Sequence, residues 1–299
     1  MKPVCIRSKT ERSFRKNSST TWAVNSLYPS QVEVARRRAR AYLFPVVWRI
    51  GGIAIPAHVF FEAVAYFVGF RLYLRRRRMA GDFLDPVTRM WVVVAAVLGA
   101  AAGSKVLAWF SDPAETLAHW REPLFLMQGK TIIGALLGGT IAVEWTKRKL
   151  GVPRRTGDLF AVALAAGIAV GRIGCFLGGL PDRTYGIATS LPWGVDFGDG
   201  ITRHPTQLYE IAFLLLLIVW LRTLEERHVR EGDVFRAFLT AYLAFRLLIE
   251  LIKPDPRFLS LTTLQWACLA GLLFYWRDIV RIFGYAVGTR TAFEDQPYG

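Results

Sequence analysis

Runs of about 20 mostly apolar residues recur along this chain, the length a helix needs to cross the hydrocarbon core of a bilayer. About seven such windows are present, centred on Phe61–Tyr73, Met90–Phe110, Ile132–Val143, Leu159–Phe176, Tyr209–Leu221, Phe235–Leu251 and Leu264–Trp276. Most are too long for buried strands. In lipid a backbone can satisfy its polar groups only within a helix or a closed barrel. The expected class is therefore all-α, a polytopic membrane protein of about seven transmembrane helices. Composition agrees: 53% of the 299 residues are hydrophobic and only 20% charged, a balance unusual for a soluble domain of this size.

A net charge of +15 would suit nucleic acid if the basic residues formed one patch interleaved with aromatics. They do not. They cluster between apolar windows, at Arg75–Arg78, at Lys147–Lys149 with Arg154 and Arg155, and over Arg222–Arg230. These clusters follow the first, third and fifth windows, and Arg277 and Arg281 follow the seventh. That is the positive-inside pattern. It predicts a cytoplasmic C-terminus, with the connections after the second, fourth and sixth helices outside. The partner implied is a lipid bilayer, with no nucleic acid. Three segments are expected: a basic tail over 1–44, a membrane domain over 45–285 and a cytoplasmic tail over 286–299. The first segment lacks the apolar core of a secretory signal. It reads as a disordered tail or as sequence ahead of the true start; the alternative is a basic amphipathic helix over Val32–Leu43 lying on lipid.

Cys5, Cys175 and Cys268 have no metal-ligand spacing and make no even framework. The sequence holds no HExxH, no P-loop and no GxGxxG after a strand. No metal and no cofactor is expected.

The charges inside the apolar windows carry most of the information. Glu62, Lys105, Glu144, Arg172, Arg246 and Glu250 each interrupt an apolar stretch, which costs several kcal/mol unless the group snorkels, pairs or faces a wet cavity. Glu144 is near enough to Lys147 to snorkel. Arg172 lies in Gly171-Arg172-Ile173-Gly174, where small neighbours allow close approach of a backbone or a ligand. Arg246 and Glu250 are spaced i, i+4 and share one helix face. One account is an intramembrane salt bridge that pins helices. The other is a phosphate or carboxylate site, because guanidinium offers a planar fork that stays charged.

Between the fourth and fifth windows runs a long, polar, glycine-rich loop from Leu180 to Glu210, expected on the outer face. Loops of that length between membrane helices are often functional. Arg203 and His204 stand just before the fifth helix, whose N-terminus also favours anions. Arg172, Arg246, Lys105 and this loop are thus expected to converge on an anionic group near the outer leaflet, where phospholipid headgroups are the natural anions.

These residues carry a resemblance. Gly171-Arg172-Ile173-Gly174-Cys175-Phe176, Tyr185-Gly186, Leu191-Pro192-Trp193-Gly194 and Arg203-His204-Pro205-Thr206-Gln207-Leu208-Tyr209-Glu210 resemble the signature of the prolipoprotein diacylglyceryl transferase family. Tyr242, Phe245-Arg246 and Glu250 are similar to its second arginine motif. The stretch from Gly129-Lys130 to Gly138 resembles its glycine-rich third-helix motif, Lys105 stands where an arginine is usual, and Gln265 fits its last-helix glutamine.

The resemblance implies transfer of a diacylglyceryl group from phosphatidylglycerol to the lipobox cysteine of a preprolipoprotein signal peptide, with glycerol phosphate leaving, in a bacterial plasma (inner) membrane. It implies that Arg172 and Arg246 hold the lipid phosphate. Catalytic roles fall to Arg172, Arg246, His204 and Glu250. Phospholipid contacts extend to Lys105, Lys130, Tyr185, Gly186, Arg203, Gln207, Glu210 and Tyr242.

The departures concern proton handling. Ile133 stands where the family usually has histidine, and Cys175 where it has asparagine. Leu180 and Tyr185 replace an acid and a tryptophan, with a few residues inserted. The first helix offers His58 and Glu62 rather than a clear tyrosine motif. His204, His58, Glu62 and Glu250 are the remaining candidates for a base. A homologue that passes anionic lipid to another acceptor is the alternative. A transporter is disfavoured, because no inverted repeat or pair of broken helices is visible.

Overall fold

The computed structural model describes residues 44–81, 84–127, 129–227 and 229–287. The basic tail as far as residue 43, with the Val32–Leu43 helix expected in it, and the tail from 288 onwards lie outside the described residues.

The described residues are mostly helical, as the windows predict. Four helices are long and apolar enough to cross a membrane: α1 (Ala57–Ala80), α2 (Pro86–Ser111), α6 (Asp158–Gly178) and α7 (Thr206–Glu226). Two short helices, α3 (Pro113–Ala118) and α4 (Pro123–Met127), lie between α2 and α5 (Ile132–Lys149). The later windows form α8 (Asp233–Ile249) and α9 (Thr263–Phe274), and α10 (Trp276–Val287) follows. Large apolar side chains point outward along the long helices; Phe67, Leu98 and Leu216 are each more than 60% exposed. Water would not tolerate so broad an apolar surface on a folded monomer, whereas lipid solvates it.

A hairpin not expected from the apolar windows precedes the first helix. β1 (Val47–Ile50) pairs antiparallel with β2 (Ile53–Pro56) ahead of α1, with Ile50 opposite Ile53. Gly51 and Gly52 both have positive φ, the backbone a tight two-residue hairpin turn demands.

Two tight helix pairs set the frame. In one, α2 packs on α5 through glycines four residues apart. A Cβ on Gly103 would lie 2.3 Å from the Gly134 carbonyl oxygen, and one on Gly138 2.4 Å from that of Gly99. Only glycine lets the two backbones come so close. In the other pair α1 lies against α6, where a Cβ on Gly174 would meet Phe61 Cβ at 2.9 Å. α6, α7 and α8 then share the main apolar core, with Ala165, Leu214, Leu217, Phe238 and Leu243 buried in it. Asp158, at the start of α6, accepts hydrogen bonds from the Gly232 and Phe235 amides and so caps α8 from a neighbouring helix.

Candidate active site

Between the α1–α6 pair and the α2–α5 pair lies an open cavity of about 1740 Å³. That exceeds the usual few hundred to about 1,000 Å³ of a small-molecule pocket, and it leaves room for a lipid. One stretch is walled by apolar side chains of α1, α2 and α6, among them Leu74, Val93, Val97, Leu164 and Ile168. The other end is polar.

The polar end follows from charges the sequence places inside helices. Arg172 of α6, Glu210 of α7 and Arg246 of α8 are all buried. Glu210 Oε2 lies 2.8 Å from Arg172 Nε and 3.2 Å from Arg246 Nη1, and Tyr242 donates to Glu210 Oε1 at 2.6 Å. Arg246 also pairs with Glu250, in a short 3-10 turn (Glu250–Ile252) that continues α8. The i, i+4 spacing read from the sequence is realised as contact. Lys253, one turn further on, lies 3.8 Å from Glu250 Oε1 and is likewise buried. Arg172, Arg246 and Lys253 line the cavity, whereas Glu210 and Glu250 do not. The cations stand in front and the carboxylates behind them, and three cations face two carboxylates. Such a cluster holds its guanidinium groups in place and still attracts an anion.

Sequence reasoning missed Lys253, although 246, 250 and 253 continue one helical face. Burial and the neighbouring Arg246 cation hold its ammonium below the ordinary lysine range, with the Glu250 carboxylate opposing.

A second polar group lines the same end. Lys130 Nζ lies 2.6 Å from Glu62 Oε1. Asp182 Oδ1 lies 2.8 Å from His58 Nδ1, but no hydrogen bond forms at that nitrogen. Arg172 Nη1 donates to Cys175 Sγ at 3.7 Å. Ile133, only 1% exposed, also lines the cavity, so no proton acceptor stands at that position.

The remaining expected residues sit elsewhere. Lys105 donates to the Met127 and Gly129 carbonyls. Gln207 donates to Thr184 Oγ1 at 2.9 Å, which ties α7 to the loop. Gly186 donates to the His204 carbonyl, and a Cβ there would come within 2.8 Å of the Ile252 carbonyl oxygen, so glycine permits the loop to press on the end of α8. Arg203 forms two bonds of 2.7 Å to Asp199, and its guanidinium lies 5.0 Å from the centre of the Tyr185 ring. This pairing holds the Asp199 carboxyl below the usual carboxylate range. His204 Nδ1 is 3.1 Å from the Tyr209 hydroxyl, which also accepts from Trp193 Nε1. Neither Arg203 nor His204 lines the cavity. The loop is thus a folded cap fastened to the start of α7 and the end of α8.

A family profile described as prolipoprotein diacylglyceryl transferase matches residues 45–279. The chain belongs to that family. Proteins named phosphatidylglycerol–prolipoprotein diacylglyceryl transferase are similar over most of its length. The one from Cupriavidus necator is 33% identical over 248 residues, covering 77% of this chain and 89% of its own. That of Paracidovorax citrulli is 29% identical over 263 residues, covering 78% and 95%. That of Clostridium tetani is 30% identical over 220 residues, covering 71% and 86%. The family is one of transferases, and the matched region takes in both arginines, the cap and the cavity.

Proposed function

We propose that this chain transfers a diacylglyceryl group from phosphatidylglycerol to the lipobox cysteine of a preprolipoprotein, releasing glycerol phosphate. The observation that carries the reading is the arrangement of Arg172, Arg246 and Lys253 on the wall of a lipid-sized cavity with Glu210 and Glu250 behind them. The apolar stretch takes the acyl chains, and the basic end takes the phosphate. As the glycerol C–O bond breaks, negative charge grows on the leaving phosphate, and fixed cations stabilise that charge more than the ground state. Glu210 and Glu250 are positioning residues that hold the two guanidinium groups.

In this reading residues 45–285 form the transferase domain, with seven membrane crossings, because α5, α8 and α9 cross beside the four longer helices. The cap from Leu180 to Thr206 faces the outside of a bacterial plasma membrane, and the C-terminus faces the cytoplasm, in keeping with the basic clusters between the helices.

Ile133 favours a second reading, in which the lipid is passed to another acceptor. The test is release of glycerol phosphate from labelled phosphatidylglycerol, with and without a lipobox peptide. Release that depends on the peptide supports the first reading. Release without the peptide supports the second.

A further inference from the structure

Three donor atoms of different chemistry meet at the polar end of the cavity. A nitrogen of His58, the sulfur of Cys175 and an oxygen of Asp182 all lie within 4.8 Å of one another. They come from α1, from α6 and from the turn after α6, so only the tertiary fold joins them. All three residues line the cavity. His58 Nδ1 is buried, and although Asp182 Oδ1 is 2.8 Å away, no hydrogen bond satisfies it. Cys175 is a free thiol, and Arg172 Nη1 donates to its sulfur at 3.7 Å.

We propose that His58, Cys175 and Asp182 form a three-ligand site for a zinc-class divalent cation, with a fourth position open to the cavity. The donor set of one imidazole, one thiolate and one carboxylate suits a borderline-soft ion. Tetrahedral bonds of about 2.0–2.3 Å place donors roughly 3.3–3.7 Å apart, within reach of small side-chain rotations from the observed cluster. Thiolate and carboxylate together neutralise the ion's charge, which matters in a site that already holds three cations.

The use of the fourth position rests on the transferase reading. An acceptor thiol that coordinates there loses its proton to solvent and is held as thiolate. Its sulfur then forms a bond to the glycerol carbon while the carbon–oxygen bond to phosphate breaks. The bonding pair leaves with glycerol phosphate at Arg172, Arg246 and Lys253. The ion thus does the work of the base that Ile133 cannot supply, at the end of the cavity where the phosphate is held.

The test uses the full chain in detergent, stripped with a chelator and titrated with Zn²⁺, then with Co²⁺ as a spectroscopic probe. One Zn²⁺ per chain is expected, with a sulfur-to-cobalt charge-transfer band. His58→Gln, Cys175→Ser and Asp182→Asn should each weaken binding by about 100-fold or more. A Cys5→Ser/Cys268→Ser variant should keep the band. Failure of the folded wild-type chain to bind, or a band that survives Cys175→Ser, overturns the site. A lipobox peptide added to the Co²⁺ protein should strengthen the band by a second thiolate, and its Cys→Ser counterpart should not. An unchanged band overturns the role given to the fourth position. The transferase reading is judged separately, by glycerol phosphate release from metal-free and metal-loaded protein. Full activity in the metal-free chain leaves that reading standing and removes the ion from the reaction.

Discussion

Arg172 Nε and Glu210 Oε2 face each other at 2.8 Å across the α6–α7 boundary, both buried, with the rest of the Arg172 guanidinium on the cavity wall. One carboxylate therefore fixes a cation whose outer face is left for substrate. Arg172→Lys keeps the charge but loses the fork. Removing one donor to a charged transition state costs about 10²–10³ in rate, so turnover by the lysine variant should fall by that amount while thermal unfolding changes little. Near-normal turnover in a folded Arg172→Ala chain would exclude the phosphate role.

Glu210→Gln separates support from chemistry. It leaves buried Arg172 facing a neutral partner, while Arg246 keeps its pairing with Glu250, and breaking a buried pair costs about 3–5 kcal/mol. A clear drop in melting temperature should accompany the loss of activity. Glu250→Gln leaves Arg246 its contact with Glu210, so its effect on stability should be smaller. Equal destabilisation by the two would contradict the central place given to Glu210.

Lys253 supplies a pH signature. With its ammonium held below the ordinary lysine range, its charge is present at low pH and is lost as pH rises through the lowered value. Headgroup affinity should therefore weaken on the alkaline side earlier than an ordinary lysine, with pKa about 10.4, would allow. In the same interval the unfolded chain binds more protons than the folded one, so this group's contribution to stability rises with pH. Lys253→Arg should flatten the binding profile, and identical profiles for the two proteins would remove Lys253 from the site.

The glycine contacts give a paired prediction. Gly134→Ala puts a methyl 2.3 Å from the Gly103 carbonyl oxygen, so α2 and α5 must separate, at a cost of about 1–3 kcal/mol. Gly139→Ala meets its nearest atom at 3.4 Å, an ordinary contact. It should leave stability unchanged or raise it by up to about 1 kcal/mol in thermal unfolding, because alanine is the better helix former.

Orientation is open to direct labelling. Ser190 is exposed on the cap, and Ser190→Cys should react with an impermeant thiol reagent from outside intact cells. Labelling only after the membrane is broken would reverse the assigned topology.

The long helices were legible because apolar length is a one-dimensional signal, and Arg172, Arg246 and Glu250 stood out because charge in such a window is costly. Lys253 is not legible because it lies past the window's end, before Pro254, where a lysine is unremarkable, and its burial comes only with the tertiary fold. The meeting of His58, Cys175 and Asp182 was equally hidden. His58 and Cys175 each drew attention alone, but their contact depends on α1 lying against Gly174, which no spacing encodes. The Gly51–Gly52 hairpin does carry a local signal, two glycines between short apolar runs.

The most direct test of the lipid-phosphate site is glycerol phosphate release from labelled phosphatidylglycerol by the purified wild-type chain and its Arg172→Lys and Arg246→Lys variants, with lipobox peptide present. The expected result is peptide-dependent release by wild type and a fall of about 10²-fold or more in each folded variant. Release by the variants at the wild-type rate, or none from wild type with or without peptide, would contradict it.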